Sequence, residues 1–496
     1  MINQPQLIAY VDRLTGGTFR DLAPLLEGPL KDAFGGVHLL PFFHPIDGAD
    51  AGFDPIDHTE VDARLGTWGD VKALTARTAV MADLIVNHVS RHSPQFQDYH
   101  RHGDDSPYAG LFLTFAHVFP DGAPESDLRA LYTIRPTLPF TKHEMAAGAS
   151  VVLWTTFTSD QIDIDVGHPE GRRYLSAVLD RFQDAGITMI RLDAVGHAMK
   201  KAGTSCFMIP ETYAFIAGLT LEARARGMEV LVEMHGHHQD QIEIARQVDR
   251  VYDFALPPLV LHALYCRDAT PLKRWIEMRP VNAVTVLDTH DGIGVADVAA
   301  RSRPSPAPGL LPAEEIAALV ATIHDRSGGA SRLASGSGAA NVDASQINCT
   351  FYDALGRRDA EYLIARAIQC FVPGVPQIYY VGLLAGGNDL DLLRRTGVGR
   401  DVNRHYYTPE ELRDELTRPV VRSLMALLRL RHRHAAFQGT FHMGSSAPDR
   451  ITLEWANGSD TARLDVDLTE MDASVTITGQ GAGREATRVW NSMVET

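Results

Sequence analysis

The sequence predicts an α/β protein built on a (β/α)8 barrel, with loop-rich insertions after strands 3 and 7 and a small C-terminal antiparallel β domain. Short apolar runs alternate with amphipathic helical segments, which is typical of a parallel α/β fold. There are eight such runs, the number of strands that closes this type of barrel. Three of the runs lead to carboxylates, and the C-terminal ends of barrel strands are where catalytic groups usually lie.

The apolar runs and their flanking residues give the order of the elements. The eight predicted strands are Leu7–Val11, Gly36–Phe42, Ala82–His88, Ile187–Asp193, Glu229–Glu233, Arg250–Phe254, Ala283–Asp288 and Pro376–Tyr380. One helix is predicted with both ends: Pro169 suits its first turn, and Gly186 stands where a C-terminal cap is expected. Between them, Leu175, Val178 and Phe182 recur on one face, so the helix leads the chain back into the strand that ends at Asp193.

Two long segments interrupt this alternation, and a third follows it. We assign the barrel to residues 1–89, 166–292 and 351–436, and the insertions to residues 90–165 and 293–350. Loops of this length are usually functional. Because both insertions follow a strand, we expect them to lie over the C-terminal face of the barrel, where 293–350 would carry a substrate-binding loop. Residues 437–496 contain short alternating runs and are predicted to form the C-terminal β domain.

Composition and charge narrow the classes of function. The chain has 496 residues, 45% of them hydrophobic and 22% charged, as expected of a globular protein of two to four domains. Its net charge of −16 opposes binding to nucleic acid or to anionic membranes. We see no signal peptide and no apolar stretch of membrane-spanning length. The four cysteines are widely spaced, which favours free thiols in a reducing cytoplasm.

Asp193, Glu233 and Asp291 follow the fourth, fifth and seventh predicted strands. Three carboxylates in one pocket repel one another, which raises the pKa of at least one of them. Retaining glycosidases need such a set: one carboxylate attacks the anomeric carbon, a second donates a proton to the leaving oxygen, and a third stabilises the positive transition state. Arg191, two residues before Asp193, favours the ionised form of Asp193.

Seven segments also resemble a known family. Asp83–His88, Arg191–Asp193, Glu233 and His290–Asp291 resemble the four signature regions of the α-amylase superfamily (glycoside hydrolase family 13). More specifically, Asp47–His58, Val251–Pro258 and Gly399–Tyr406 resemble its branch of sucrose phosphorylases and sucrose 6′-phosphate phosphorylases. The resemblance runs from about residue 6 to the start of the C-terminal domain.

The resemblance implies a role for each matching residue. Asp193 is similar to the nucleophile, Glu233 to the general acid/base and Asp291 to the transition-state stabiliser. Asp50 and Arg400 match a pair that holds the far edge of the glucosyl ring. The other implied contacts to glucose are stacking by Phe53 and polar contacts by His88, Gln161, Arg191 and His290.

The acceptor side departs from the family pattern. Arg135 and His235 are the expected phosphate-binding donors, since a phosphorylase needs cations where a hydrolase binds water. The other candidate acceptor residues are Ile134, His237, Asp343, Ala344, Ser345 and Gln346. Sucrose phosphorylases carry leucine and tyrosine at the positions of Ala344 and Ser345, proline at that of Ile134 and tyrosine at that of His197. The identity of the acceptor therefore stays open.

The resemblance implies a retaining phosphorylase that converts sucrose (or sucrose 6′-phosphate) and phosphate to α-glucose 1-phosphate and fructose (or fructose 6-phosphate). Alternatives on the same site are a glucosylglycerol or glucosylglycerate phosphorylase and a sucrose hydrolase, and one of another class is a non-catalytic binding barrel. The histidines at 235, 237 and 238 lack a further ligand set, so we expect no metal and no cofactor. The expected partners are sugar and phosphate, and relatives suggest a homodimer.

Overall fold

Eight parallel strands close into a barrel in a computed structural model of the chain. Each strand pairs with its neighbours in sequence, and the first pairs with the last. The strands are β1 Gln6–Ala9, β2 Gly36–Leu39, β3 Ala79–Ile85, β4 Met189–Asp193, β5 Glu229–Val232, β6 Arg250–Asp253, β7 Ala283–Thr285 and β8 Val375–Tyr379. The prediction of an eight-stranded (β/α)8 barrel is confirmed, with differences of a few residues at the strand ends.

Helices surround the barrel. The main helices that follow β1 to β8 are Phe19–Glu27, Trp68–Thr75, Pro169–Asp184, Pro210–Ala225, His238–Ala245, Thr270–Met278, Asp359–Phe371 and Pro419–Arg433. Further helical segments in the connections are Val11–Thr15, Val195–His197, Leu256–Cys266, Phe351–Ala354, Tyr380–Leu383, Leu390–Thr396, Gly399–Asn403, Pro409–Glu415 and Ala435–Gln438. The predicted helix begins at Pro169, and Gly186 follows its end with a left-handed φ of 79° and an N–H that donates to the Gln183 carbonyl.

The structure describes residues 3–48, 50–133, 137–301, 306–335 and 346–479, and the backbone of 482–488. Within these ranges, none of the helices combines the length and apolar character that a membrane crossing requires. All four cysteines are free thiols.

Both insertions contain regular elements besides their loops. In the first are Pro94–His102, Gly103–Asp105, Ala109–Leu111, Phe115–Val118, Glu125–Ala130, the hairpin Phe140–Glu144 with Ser150–Trp154, and Gln161–Asp163 paired with His88–Ser90. In the second are Ile293–Gly294 paired with Gln346–Ile347, the turn Ala296–Val298, and the helices Ala313–Arg326 and Ala330–Ser335. A further small sheet pairs Phe43–His44 with Asp57–Val61. The residue boundaries between barrel and insertions stay a prediction.

The C-terminal segment is an antiparallel meander of five strands in sequential order. Its strands are β9 Thr440–Met443, β10 Arg450–Asn457, β11 Asp460–Asp467, β12 Asp472–Gly479 and β13 Ala482–Arg488. Ile451, Leu453 and Trp455 alternate with less buried residues along β10, so one face of the sheet packs on the barrel side. Trp455 donates its indole N–H to the Phe371 carbonyl at the end of a barrel helix. The predicted C-terminal antiparallel β domain is confirmed.

The interior of the barrel is polar beneath the C-terminal strand ends. His38 on β2 lies 3.0 Å from Asp83 on β3, and Asp83 binds Arg191 on β4 at 2.5 Å. The Tyr252 hydroxyl on β6 lies 3.4 Å from His38 and donates to Gln377 on β8 at 3.0 Å. Side chains from five strands thus share one hydrogen-bonded layer. Buried polar groups need such partners, and a fully connected layer fixes their rotamers.

A buried ion pair attaches an outer helix to the end of β7. Arg366, on the helix Asp359–Phe371, binds Asp288 at 2.6 Å, and the Arg366 side chain is fully buried. Gly382 lies against this pair, and its carbonyl accepts the Tyr362 hydroxyl. A β-carbon at position 382 would stand 2.0 Å from the Asp288 Oδ2 and 2.1 Å from the Arg366 Nη2.

Gly382→Ala is therefore expected to separate Arg366 from Asp288 and to lower the free energy of unfolding by about 3 kcal/mol, through overpacking and a broken buried pair. The measurement is urea unfolding followed by circular dichroism. Gly218→Ala is the matched control, because Gly218 lies mid-helix with no atom within 4 Å of an added β-carbon. That control should gain up to about 1 kcal/mol from helix propensity. Equal stability of Gly382→Ala and Gly218→Ala would contradict the conclusion that the Arg366–Asp288 pair depends on the space left by Gly382.

Candidate active site

Arg191 holds the two central carboxylates of the site. Its Nη1 binds the Asp193 Oδ1 at 2.9 Å, and its Nη2 lies 3.3 Å from the Glu233 Oε1. The same Nη1 binds Asp83, so one guanidinium contacts carboxylates from β3, β4 and the end of β5. The arginine side chain is 2% exposed, and its charge therefore acts with little screening by water.

The backbone after the nucleophile candidate is strained in a way that serves the site. Ala194 has a left-handed φ of 54°, which costs a non-glycine residue about 1–3 kcal/mol. In this conformation the Ala194 N–H donates to the Glu233 Oε2 at 3.0 Å. Glu233 is thus held by the strand next to its own, between a backbone donor and a guanidinium.

The carboxylates differ in how easily they ionise. Burial, together with the negative charges of Glu233, Asp83 and Asp291, raises the pKa of Asp193, and the charge of Arg191 opposes this rise. Burial also acts to raise the pKa of Asp83, but the charges of His38 and Arg191 outweigh it and lower that pKa to about 2. Like charges at short range therefore oppose the ionised form of Asp193, which the Arg191 guanidinium favours.

Asp291 lies opposite this pair among cations. Arg400 binds its Oδ1 at 2.8 Å, and Arg404 Nη2 lies 3.9 Å from the same oxygen. Burial acts to raise the pKa of Asp291, but these cations, with Arg400 the strongest, hold it well below its usual range. Asp291 is accordingly a permanent negative charge. Such a charge suits the stabilisation of a positive transition state.

Aromatic and polar side chains complete a small pocket around the carboxylates. Phe53 stacks on His290 with ring centroids 4.6 Å apart, and the Arg191 guanidinium lies 5.5 Å from the Phe53 ring. His88 Nε2 lies 2.8 Å from the Phe53 carbonyl oxygen and 3.0 Å from the side-chain amide of Gln161. Burial lowers the pKa of His290 to about 3, so this ring is neutral at physiological pH.

All ten residues predicted for catalysis and glucose binding lie together at this end of the barrel. Eight of them line the pocket: Asp50, Phe53, His88, Asp193, Glu233, His290, Asp291 and Arg400. Arg191 and Gln161 lie directly behind these residues and hold them through the contacts given above. Gln161 belongs to the first insertion, as expected of a segment that covers the C-terminal face.

The opposite wall of the pocket is aromatic. Tyr132 stacks on Phe207 at 4.3 Å, and His197 lies 4.8 Å from Phe207 and 5.5 Å from Phe157. Burial lowers the pKa of His197 to about 3, so this histidine contributes a neutral ring. Flat apolar rings with polar edges suit the faces and hydroxyl groups of a sugar.

His235 contributes a positive charge to this side of the pocket. Its ring stacks on Phe254 at 3.8 Å, and its Nδ1 lies 3.4 Å from the Asp297 Oδ2. Burial acts to lower the pKa of His235, but the hydrogen bond to Asp297 and the charges of Asp297, Glu233 and Asp291 outweigh it and raise the pKa to about 9. His235 is therefore an imidazolium at neutral pH.

Of the remaining acceptor residues predicted from the sequence, one lines the pocket, one does not, and five lie outside the described residues. Gln346 lines the pocket, and its Oε1 accepts the Gly292 N–H at 3.1 Å. His237 does not line it: the Nδ1 of this residue caps the helix His238–Ala245, and its Nε2 lies 3.0 Å from the Pro308 carbonyl oxygen. Ile134, Arg135, Asp343, Ala344 and Ser345 lie outside the described residues.

Two functional candidates carry no signal that sequence reasoning used. Asp297 is fully buried and accepts hydrogen bonds from Gly236 and Gln241 besides facing His235. Arg404 is 1% exposed, donates to the His290 carbonyl and lies within 4 Å of Asp50 and Asp291. Both act across long separations in sequence. Arg404 lies within a segment used for the family resemblance, which was the available hint.

Glu233, His235 and Asp291 also bring three potential metal-ligand atoms within 4.8 Å of one another. A histidine binds metal through a neutral nitrogen, and the raised pKa of His235 removes that lone pair at neutral pH. The raised pKa of His235 therefore disfavours a metal ion at this position.

Known proteins share this fold and sequence. Residues 31–251 match the family model described as alpha amylase, catalytic domain. The chain is 57% identical to a sucrose phosphorylase of Agrobacterium vitis, over 97% of this chain and 98% of that protein. It is 49% identical to a sucrose phosphorylase of Bifidobacterium adolescentis, over 94% and 92%. The crystal structure of the sucrose 6F-phosphate phosphorylase from Thermoanaerobacter thermosaccharolyticum superimposes with a TM-score of 0.90 at 36% identity, covering 98% of both chains.

Full-length similarity of this degree, together with strand-end carboxylates held on one barrel arginine, decides the family. The chain belongs to the sucrose phosphorylase branch of the α-amylase superfamily.

Proposed function

We propose that this protein is a retaining glucosyl phosphorylase that converts sucrose and phosphate to α-glucose 1-phosphate and fructose. The observation that carries the proposal is the combination of Asp193 and Glu233 on one guanidinium with the His235 imidazolium beside Glu233. Nε2 of His235 lies 3.9 Å from the Glu233 Oε1. A carboxylate pair alone supports hydrolysis equally well. A buried cation on the acceptor side favours an anionic acceptor over water.

The reaction proceeds by two displacements at the anomeric carbon. Asp193 attacks this carbon while Glu233 gives its proton to the glycosidic oxygen, so fructose leaves and a β-glucosyl ester forms on Asp193. A phosphate oxygen then attacks the same carbon, the ester bond breaks, and Glu233 takes up a proton from the phosphate. Asp291 stabilises the positive charge that develops in both transition states. Two inversions give net retention of the α configuration.

Sucrose is preferred over sucrose 6′-phosphate in this proposal. Two relatives named as sucrose phosphorylases are 57% and 49% identical to this chain, whereas a relative named as a sucrose 6F-phosphate phosphorylase is 39% identical. The described aromatic wall adds a physical argument, since Tyr132, Phe157, Phe207 and the neutral His197 suit an uncharged ketose better than a phosphorylated one.

The proposed reaction needs no metal or other cofactor, because the carboxylates supply both the nucleophile and the proton. The four free thiols support an assignment to a reducing cytoplasm. A homodimer is implied by the family resemblance and stays a prediction.

Asp193→Asn is expected to lower sucrose phosphorolysis by about 10⁴-fold or more, because the amide cannot form the glucosyl ester. The measurement is α-glucose 1-phosphate release, with the intermediate trapped in wild type by mass spectrometry. Asp184→Asn, an equal change of charge on an exposed helix end, is the control and should retain full activity. Activity in Asp193→Asn near that of the wild type would refute the nucleophile assignment.

Parallel assays with sucrose and with sucrose 6′-phosphate, each with and without phosphate, test the acceptor. We expect kcat/KM for sucrose to exceed that for sucrose 6′-phosphate by at least about tenfold, since the described aromatic wall leaves a buried 6′-phosphate poorly paired. Glucose formed in place of glucose 1-phosphate would indicate a hydrolase. Faster phosphorolysis of glucosylglycerol or glucosylglycerate, assayed in the same format, would instead make that compound the preferred donor.

Dialysis against EDTA is expected to leave phosphorolysis unchanged, because the carboxylates supply both the nucleophile and the proton, and the raised pKa of His235 disfavours a metal ion between Glu233 and Asp291. The assay compares treated and untreated enzyme, with Mg²⁺, Ca²⁺ and Zn²⁺ added back separately. A loss of activity that one of these ions restores would contradict the proposed mechanism.

A further inference from the structure

His235 lines the pocket and is held from two sides, by Phe254 and by Asp297. Phe254 covers one face of the ring, with the two planes 16° apart. Asp297 lies at the Nδ1 edge. Among the described residues the buried Nε2 makes no hydrogen bond, and it lies on the side of Glu233. The ring therefore presents a single N–H to whatever binds beside the general acid.

The carboxylate of Asp297 is itself fixed. Its Oδ1 accepts the Gly236 N–H at 3.1 Å and the Gln241 amide at 2.9 Å, and its Oδ2 is left for His235. Gly294 makes room for this oxygen, since a β-carbon there would stand 2.3 Å from it. Asp297 is fully buried in the turn Ala296–Val298, which belongs to the second insertion. Two neutral donors thus fix one oxygen of this carboxylate and leave the other facing the imidazole.

We propose that Asp297 is a positioning residue that holds His235 as an oriented imidazolium, so that its Nε2–H binds the phosphate that attacks the glucosyl ester of Asp193. This inference rests on the proposed function, because it requires phosphate as the acceptor. According to this inference, Asp297 does not touch the substrate, but it determines the preference of the enzyme for phosphate over water. Formation of the glucosyl ester needs no anion and is independent of Asp297.

The charged groups that face His235 fix the expected pH dependence. They are Asp297 from the second insertion, Glu233 at the end of β5 and Asp291 beyond β7, while Phe254 after β6 is apolar. With Asp297 present, the imidazolium persists until the pH rises through about 9. Without this carboxylate, the two strongest causes that raise the pKa of His235 are lost, so burial lowers this pKa relative to wild type, while Glu233 and Asp291 still oppose the fall.

The test compares wild type with Asp297→Asn, which keeps the hydrogen-bonding shape and removes the charge. The ratio of kcat/KM for phosphate, wild type over variant, should increase with pH and reach at least about tenfold at pH 8, which is the difference in protonated His235 if its pKa falls by about two units from about 9. Single-turnover release of fructose without phosphate should stay within about twofold of wild type. The ratio of hydrolysis to phosphorolysis should be higher in Asp297→Asn than in wild type, because attack by water needs no cation.

Three controls separate this role from a loss of folding. Asp240→Asn, on the neighbouring helix and paired with Arg301, removes the same charge outside the pocket and should leave the ratio at one. In a His235→Gln background, Asp297→Asn should have no further effect, since the two residues act as a unit. The NMR resonance of ¹⁵N-labelled His235, identified by its absence in His235→Gln, should titrate near pH 9 in wild type and at least about two units lower in Asp297→Asn.

A ratio that stays flat between pH 6 and pH 9, or effects of the two substitutions that simply add, would overturn the inference and leave the proposed function intact. If wild type releases no glucose 1-phosphate from any of the donors, the proposed function fails and this inference fails with it.

Discussion

The contact on which the site depends is the buried guanidinium of Arg191 among the carboxylates of Asp83, Asp193 and Glu233. These acids come from three adjacent strands, and parallel pairing brings their ends to the same level of the barrel. Without a cation at this point, their mutual repulsion would act in a medium of low dielectric. One side chain on the middle strand thus makes a dense cluster of acids compatible with a folded barrel. The polar layer below it, from His38 to Gln377, keeps that side chain in place.

Much of the fold could be predicted from the sequence, because apolar runs report burial and parallel strands are buried on both faces. The residues at which the strands begin and end could not be predicted in this way. The seventh run extends to Asp288, yet β7 ends at Thr285. Val286 and Leu287 are almost fully buried beyond the end of the strand. Apolar character marks what is removed from water, whereas a strand ends where its backbone stops pairing, and only the neighbouring strands decide that.

Some residues of the candidate site could likewise be predicted from the sequence, and others could not. Asp193, Glu233 and Asp291 could be placed because each follows a predicted strand. Asp297 could not, since its partner His235 is 62 residues away and nothing local distinguishes it from a surface acid. The segment around Arg404 matched the family, but the contact of Arg404 with His290, 114 residues away, could not be predicted from it. His235 and His237 show the limit clearly. They are two residues apart and equal in composition, but one faces the pocket and the other caps a helix, a difference set by where the chain turns.

The first insertion has a small apolar cluster of its own, formed by Leu113, Val118, Phe119 and Trp154 with Cys206 from the segment after β4. Tyr132 and Phe157 of the aromatic wall belong to this insertion, whereas Asp193, Glu233 and Asp291 stand at or just beyond the ends of barrel strands. Substitutions can then accumulate on one side of the scissile bond with little effect on the other. Such a division lets one ancestral barrel diversify in its glucosyl donors and acceptors, while the transferred glucosyl group stays the same.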